Sequence, residues 1–381
     1  MVGTQKIGLV GLIKKYKALL SSLCTGSSLY NFTVVARTVA VLKVSITLVG
    51  GETVEYIESN MNLENPDPNK ISTAIKSTVA SRRFDHFKGL SMVFLGAVLW
   101  GVSGTAAQVL FQRYGFNPGW LVTVRMSVSG LLLLVGISMN TGLKQTISVW
   151  KDKRDALKLV LFGIIGLLGV QYSYFAAIRY GNAATGTMLQ YMGPVFITVY
   201  VALRKRRMPG VSQLAAVFLT LAGAFLLVTN GNVHSFSVSP LAVFWGLVSA
   251  ITLAFYSLYP QNLLQKYGSA NIVGWAMFIG GIGMSFITPP WHFTGHSSLG
   301  TWWLVGFVVL FGTLIAFYVY IASLKYISAS EASLLSCGEP LSASILAVAV
   351  LHVQMGLPSV LGGLCVLVTV TLLASKGSAE N

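Results

Sequence analysis

One stretch of this chain occurs twice. Residues 166–194 read GLLGVQYSYFAAIRYGNAATGTMLQYMGP, and residues 312–340, which lie 146 positions later, read GTLIAFYVYIASLKYISASEASLLSCGEP without a gap. The identical positions are Gly166/Gly312, Leu168/Leu314, Tyr172/Tyr318, Tyr174/Tyr320, Ala176/Ala322, Tyr180/Tyr326, Ala183/Ala329, Leu189/Leu335 and Pro194/Pro340. This repeat predicts a fold built from two related halves.

The composition is that of a membrane protein. Hydrophobic residues make up 54% of the 381 residues and charged residues only 10%, whereas soluble domains contain about 25% charged residues. The net charge of +15 does not indicate nucleic-acid binding, because the basic residues cluster in short loops and form no stripe interleaved with aromatic residues. Cys24, Cys337 and Cys365 have no paired spacing, and the histidines are scattered over predicted loops, so neither a disulfide framework nor a metal site is predicted.

Apolar segments of about 20 residues, each long enough to cross a bilayer as a helix, recur along the chain. We predict an all-α membrane protein with ten transmembrane helices, at about 89–110, 119–140, 157–178, 183–203, 210–229, 240–260, 271–290, 302–322, 329–351 and 357–375. Continuous apolar runs of this kind exclude barrel strands, in which apolar and polar residues alternate.

The basic residues of the loops predict the orientation. When the loops are placed alternately on the two sides, one side receives Arg113 and Arg179 and the other receives the rest. The rest are Arg82, Arg83, Lys88, Lys144, Lys151, Lys153, Arg154, Lys158, Arg204, Lys205, Arg206, Arg207, Lys266, Lys325 and Lys376. Because cytoplasmic loops carry the excess of Lys and Arg, we predict a cell-membrane protein with both ends of the helical bundle in the cytoplasm.

The two halves, residues 88–230 and 240–375, contain five predicted spans each. An odd number of spans predicts that the second half enters the membrane in the opposite orientation, as an inverted repeat. Residues 1–85 have no counterpart in the repeat, and Arg37 and Lys43 interrupt their apolar stretch. We therefore predict a weakly structured or flexible N-terminal extension outside the bundle.

Several motifs are similar to those of a known family. They are GAVLWG at 96–101, the stretch from Gly181-Asn182-Ala183 to Gly193-Pro194, and the stretch from Tyr326 to Glu339-Pro340. Because of these motifs, the chain from about Gly89 to Ser375 resembles the EamA family of the drug/metabolite transporter superfamily. The resemblance implies export of amino acids or other small metabolites. The N-terminal extension departs from the family pattern.

Glu339 is the deepest of the five acidic residues that follow residue 86. A carboxyl group at membrane depth is costly and indicates a functional site, and Pro340 beside it, like Pro194 in the first copy, is predicted to break a helix. Glu339 could bind substrate or couple transport to protons. The alternative is that a protonated or hydrogen-bonded Glu339 only holds helices together.

Arg125 is the basic residue that lies in mid-span, so it needs a partner or water. A substrate carboxylate, Glu339 or backbone carbonyls would serve, and the side chain could also reach the outer surface. Six further residues are candidates for a partly polar, aromatic-walled cavity or, alternatively, for packing: Trp100, Gln171, Gln190, Tyr191, Tyr256 and Trp275.

We interpret the chain as a secondary transporter, an exporter by resemblance, that moves a small metabolite or amino-acid-like solute by alternating access. No catalytic or nucleotide-binding motif is found, so no enzyme activity and no cofactor are predicted. The partners are a small-molecule substrate and the lipid bilayer, with proton coupling and a homodimer as open options. The rival interpretation is a non-transporting membrane sensor or a membrane-embedded enzyme.

The charge bias predicts that loop 204–209 is cytoplasmic and that loop 290–301 is external. In a cysteine-free background, we expect Thr294→Cys to react with a membrane-impermeant maleimide in intact cells. Arg206→Cys should react only after permeabilisation. Labelling of position 206 in intact cells would refute this orientation.

Overall fold

The computed structural model describes residues 68–206, 210–232, 238–327, 331–332 and 335–377, and its side chains are described from Phe84 onward except at residues 205, 212, 213 and 370–377. Within these ranges the chain is helical and contains no β-strand. The predicted N-terminal extension lies outside the described residues as far as residue 67. The helices pack together within the unit Asp85–Asn381.

The principal helices are numbered in chain order. They are α1 Pro68–Gln112, α2 Pro118–Thr141, α3 Lys153–Tyr180, α4 Ala183–Gln190, α5 Gly193–Lys205, α6 Val211–Thr229, α7 Pro240–Leu258, α8 Gln261–Tyr267, α9 Ser269–Ser285, α10 Leu299–Ser323, α11 Gly338–Ala349 and α12 Leu357–Gly377. Two short helical turns, Leu143–Thr146 and Ser148–Lys151, connect α2 to α3.

Each predicted apolar segment coincides with helix in the described part of the chain. Six helices there are long and apolar enough to cross a membrane: Phe84–Gln112, Pro118–Thr141, Lys153–Tyr180, Ala183–Arg204, Pro240–Leu258 and Leu299–Ser323. Leu214–Thr229, Gly338–Ala349 and Leu357–Thr369 are shorter apolar helices. The all-helical membrane architecture therefore stands, and the count of ten spans stays a prediction.

Two of the predicted segments are not continuous helices. The fourth ends at Gln190 and resumes at Gly193, with a turn at residues 191–192. The ninth is helical at residues 331–332 and 335 and again at Gly338–Ala349, with a turn at residues 336–337. A proline stands in the first turn of each resumed helix, Pro194 in α5 and Pro340 in α11. Because proline lacks the N–H that an inner helical turn requires, it favours a helix start at these places.

Helix starts elsewhere follow from local sequence. The side chain of Asn117 accepts a hydrogen bond from the backbone N–H of Gly119 at the start of α2, and Asn182 accepts one from Thr185 at the start of α4. Ser298 and Thr301 form a reciprocal capping box at the start of α10. These caps satisfy backbone donors that would otherwise lack a partner at the helix ends.

Glycines let two pairs of helices approach closely. A Cβ atom built on Gly130 of α2 would lie 2.5 Å from the backbone nitrogen of Phe278 in α9, and one on Gly281 of α9 would lie 2.5 Å from the nitrogen of Ser127 in α2. A Cβ on Gly223 of α6 would lie 2.6 Å from the carbonyl oxygen of Gly362 in α12. Close backbone packing over small residues is one of the interactions that associate helices in a bilayer.

An ionic cluster joins the start of α3 to α8. The buried carboxylate of Asp155 lies 2.7 Å from Nζ of Lys266 and 3.3 Å from Nζ of Lys158, and it accepts a hydrogen bond of 3.0 Å from the hydroxyl of Tyr267. The hydrogen bond to Asp155 raises the pKa of Lys266 above its ordinary value. Asp155 belongs to the first half of the sequence and Lys266 to the second, so the cluster connects the two halves.

The close contact of α2 with α9 yields a prediction with a control in the same helix. Gly130→Ala should lower the Tm of the purified protein in detergent, because overpacking of this kind costs about 1–3 kcal/mol. Gly136 of α2 has open space around its Cβ position, so Gly136→Ala should leave the Tm unchanged or raise it slightly. Equal effects of the two substitutions would contradict this packing of α2 on α9.

Candidate functional site

A cavity of about 380 Å³ lies among the helices, and residues of α1, α2, α3, α4, α5, α7, α8, α9, α10 and α11 line it together with residues of the two helix breaks. This volume is in the range of small-molecule sites. Most of the predicted site residues are brought together in its wall: Trp100, Arg125, Gln171, Gln190, Tyr191, Pro194, Tyr256 and Glu339.

Arg125 is buried in α2 with an exposed fraction of 3%. Its Nη2 donates a hydrogen bond of 3.0 Å to Oε1 of Gln171, and its guanidinium carbon lies 4.4 Å from the ring centroid of Phe175. Its Nε has no hydrogen-bond partner among the described residues. The guanidinium is thus oriented by two side chains of α3 while part of its donor capacity is unused.

Glu339 lies in the first turn of α11, where the break before the helix directs it to the cavity wall. Its Oε2 lies 3.4 Å from the hydroxyl of Tyr191, and the same hydroxyl donates a shorter hydrogen bond of 2.6 Å to the backbone carbonyl of Ser336. A tyrosine hydroxyl has a single proton to donate, so the carboxyl group is held only weakly. A protonated Glu339 could itself donate to the Tyr191 oxygen, and the arrangement therefore accommodates either protonation state.

The two charged residues of the cavity wall are held apart. The ion pairs found in the described part of the chain join His86 to Glu331, Lys158 to Asp155, and Lys266 to Asp152 and Asp155. Arg125 and Glu339 form none with each other, so each of these groups remains open to an incoming polar group of opposite charge.

Aromatic rings form much of the remaining wall. The ring of Trp100 packs against those of Phe317 and Tyr320, with centroids 5.1 and 5.3 Å apart. Tyr256 stacks on Phe162 with a centroid distance of 5.5 Å. Such faces bind the apolar part of a solute and can also receive a cation.

Two further polar positions occur in the wall. Nε2 of Gln190 donates a hydrogen bond of 2.9 Å to Oγ of Ser249, and Ser336 lies at the break before α11. Gln190 and Ser336 occupy equivalent positions of the two sequence copies, 146 residues apart.

Sequence reasoning missed the tyrosines Tyr174 and Tyr320, which both line the cavity. The hydroxyl of Tyr174 is 2.9 Å from Oγ1 of Thr187. The signal that could have found these tyrosines was already present, because they are identical residues at equivalent positions of the repeat. A polar aromatic residue kept in both copies at membrane depth is a better candidate than one found in a single copy.

Two predicted residues are not part of the described lining. Trp275 of α9 donates its indole N–H to the backbone carbonyl of Thr146 at 2.9 Å and packs against Trp150, with ring centroids 5.2 Å apart. This carbonyl in the α2–α3 connection gives the indole a partner away from the cavity. Pro340 is buried beside Glu339 and shapes the helix start without lining the cavity.

No group of three or more His, Cys, Asp or Glu side chains that could hold a metal ion occurs in the ranges the structure describes. The described wall offers one guanidinium, one carboxyl group, amides, hydroxyls and aromatic faces. These groups can bind and orient a solute by charge, hydrogen bonds and apolar contact.

Comparison with known proteins places the chain in a family. A family model described as the EamA-like transporter family matches residues 87–229 and again residues 240–375. A protein of Salmonella typhimurium, named the uncharacterized inner membrane transporter YicL, is 38% identical over 291 residues, which are 75% of this chain and 95% of that protein. The uncharacterized transporter YyaM of Bacillus subtilis is 21% identical over 58% of this chain and 72% of its own length.

A solved crystal structure has a similar fold, with a TM-score of 0.52, 16% sequence identity, and coverage of 76% of this chain and 98% of its own. At this identity the likeness concerns the fold alone. The family model and the YicL relative are both named as transporters, and the apolar helices are long enough to cross a membrane. On their basis, the chain belongs to the EamA-like transporter family and is a multi-pass membrane transporter.

Proposed function

We propose that this protein is a secondary transporter that exports a small metabolite or amino-acid-like solute across the cytoplasmic membrane by alternating access. The observation that carries the proposal is the cavity, whose wall combines a buried Arg125, a weakly held Glu339 and several aromatic rings in a membrane-transporter chain. The proposed direction, export, follows the family resemblance.

The proposed architecture is a pair of inverted five-helix repeats, residues 88–230 and 240–375, with both ends of the bundle in the cytoplasm. Its first support is that helices in equivalent positions of the two halves pack closely together, α2 with α9 and α6 with α12. Such pairing is expected where an approximate twofold axis between inverted halves passes close to the paired helices.

Local irregularities repeat as well. A π-helical turn interrupts α3 at Phe162–Leu168 and α10 at Leu310–Ile315, and these turns overlap when the sequence copies are aligned. The helix breaks at residues 191–192 and 336–337 also overlap in the alignment. π-Turns occur frequently at functional sites, and interrupted helices at repeat interfaces are typical of transporter substrate sites.

Glu339 is the proposed proton-coupling residue. It lies in the cavity wall, has no acidic counterpart in the first copy, where Gly193 is equivalent, and is held only by a weak contact with Tyr191. A carboxyl group placed in this way could take up a proton on one side of the membrane and release it on the other.

We expect Glu339→Gln to abolish the pH dependence of export, since the amide retains the shape of the side chain but cannot titrate. The measurement is efflux of a metabolite panel from cells that overproduce the protein, followed by pH profiles for the solutes that are exported. Glu331→Gln is the matched control, because Glu331 pairs with His86 outside the cavity wall, and it should retain the wild-type profile. An unchanged profile for Glu339→Gln would show that Glu339 only bonds helices together.

A further inference from the structure

We propose that the part of the cavity around Arg125 is a binding site for a carboxylate group of the transported solute. This inference rests on the proposed transport function and gives its substrate a chemical class, which is an organic monoanion or zwitterion whose carboxylate contacts Arg125. It also assigns a role to Gln171 and Phe175, which orient the guanidinium.

The first argument is that, within the described ranges, the buried guanidinium of Arg125 lacks an anionic partner and one hydrogen bond. Arg125 is 3% exposed, its Nε has no hydrogen-bond partner in the described part of the chain, and no carboxylate there lies within ion-pair distance of it. A buried cation without an anionic partner is unfavourable, and an anion that enters the cavity offsets this cost. The planar guanidinium with its several N–H donors matches a carboxylate particularly well.

The second argument is preorganisation. Gln171 and Phe175 lie one helical turn apart on α3. Gln171 holds the edge of the guanidinium by the hydrogen bond of 3.0 Å, and the ring of Phe175 lies against its face at 4.4 Å. Gln171 supplies a neutral acceptor, so it orients Arg125 without neutralising its charge. A neutral partner of this kind leaves the cation available for a ligand.

The third argument selects a carboxylate over a phosphate. Arg125 is the basic residue in the described wall, and the other charged group there is Glu339, which would repel a dianion more strongly than a monoanion. Much of the remaining wall is aromatic, including Trp100, Phe317 and Tyr320. A monoanionic carboxylate on an apolar body satisfies both the single positive charge and the aromatic wall.

The test uses matched probes that differ in the carboxylate. The full chain is purified in detergent, and binding is measured by thermal stabilisation with L-phenylalanine, L-leucine, 3-phenylpropanoate and 4-methylpentanoate, and with the uncharged-terminus analogues phenylalaninamide and leucinamide. We expect the carboxylates to bind and the amides to bind at least tenfold more weakly. Arg125→Gln should weaken carboxylate binding by about ten- to a hundredfold, because it removes a charged hydrogen bond, and it should not weaken binding of the amides, which carry a positive charge themselves.

A second variant keeps the proposal testable if Arg125→Gln does not fold. Gln171→Glu places a carboxylate 3.0 Å from Arg125 where the amide oxygen now lies, so the site would be occupied by the protein itself. We expect this variant to lose carboxylate binding. Gln190→Glu, which adds the same charge to the cavity wall beside Ser249, should reduce carboxylate binding by a smaller factor.

Four results would overturn the inference: no carboxylate probe binds, acids and amides bind equally, a folded Arg125→Gln binds the carboxylates as the wild type does, or Gln171→Glu and Gln190→Glu have equal effects. Each of them would leave the proposed transport function standing, since solute efflux is measured separately in cells. Absence of any efflux from the metabolite panel would instead count against the proposed function itself.

Discussion

The structure depends on one constraint, which is that backbone N–H and C=O groups in a bilayer need partners within the protein. Most of the described chain satisfies them within continuous helices. The breaks at residues 191–192 and 336–337 are allowed because they line the cavity wall inside the bundle and are bonded there. The carbonyl of Ser336 accepts hydrogen bonds from the backbone of Glu339, at 2.9 Å, and from the hydroxyl of Tyr191. The helix breaks and the polar cavity therefore depend on each other, because the breaks supply polar groups to the cavity wall.

Charged side chains inside the bundle need partners for the same reason, because lipid offers none. A charged group inside a helical bundle persists only where it has a partner or a route to solvent or ligand. Asp155 shows the first solution, with three donors around a buried carboxylate at the start of α3. Arg125 and Glu339 show the second, since each has one neutral side chain as a hydrogen-bonding partner and lines the cavity. The contrast separates a structural charge cluster from a pair of groups that are available for binding.

Close backbone contacts between helices hold the cavity walls in place. The glycine contacts between α2 and α9 fix the helix that carries Arg125, and the close approach of Gly101 in α1 to the backbone carbonyl of Glu339 brings α1 against the start of α11. Small residues thus determine how far apart the charged groups lie, although they make no polar contact themselves.

The sequence by itself determined the class of fold, the position of the helices and most of the candidate site. Hydrophobic segments of sufficient length predict helices because a bilayer permits few other structures. A charged residue inside such a segment, such as Arg125 or Glu339, can be recognised from the sequence as a candidate for the site. Tertiary structure alone decided which candidates meet. Trp275 could not be separated from Tyr256 by sequence, because an aromatic residue in mid-span can equally contact a cavity or a backbone carbonyl such as that of Thr146. The separation of Arg125 from Glu339, and the neutral partners that each has, depend on helix packing between distant segments, which no local pattern encodes.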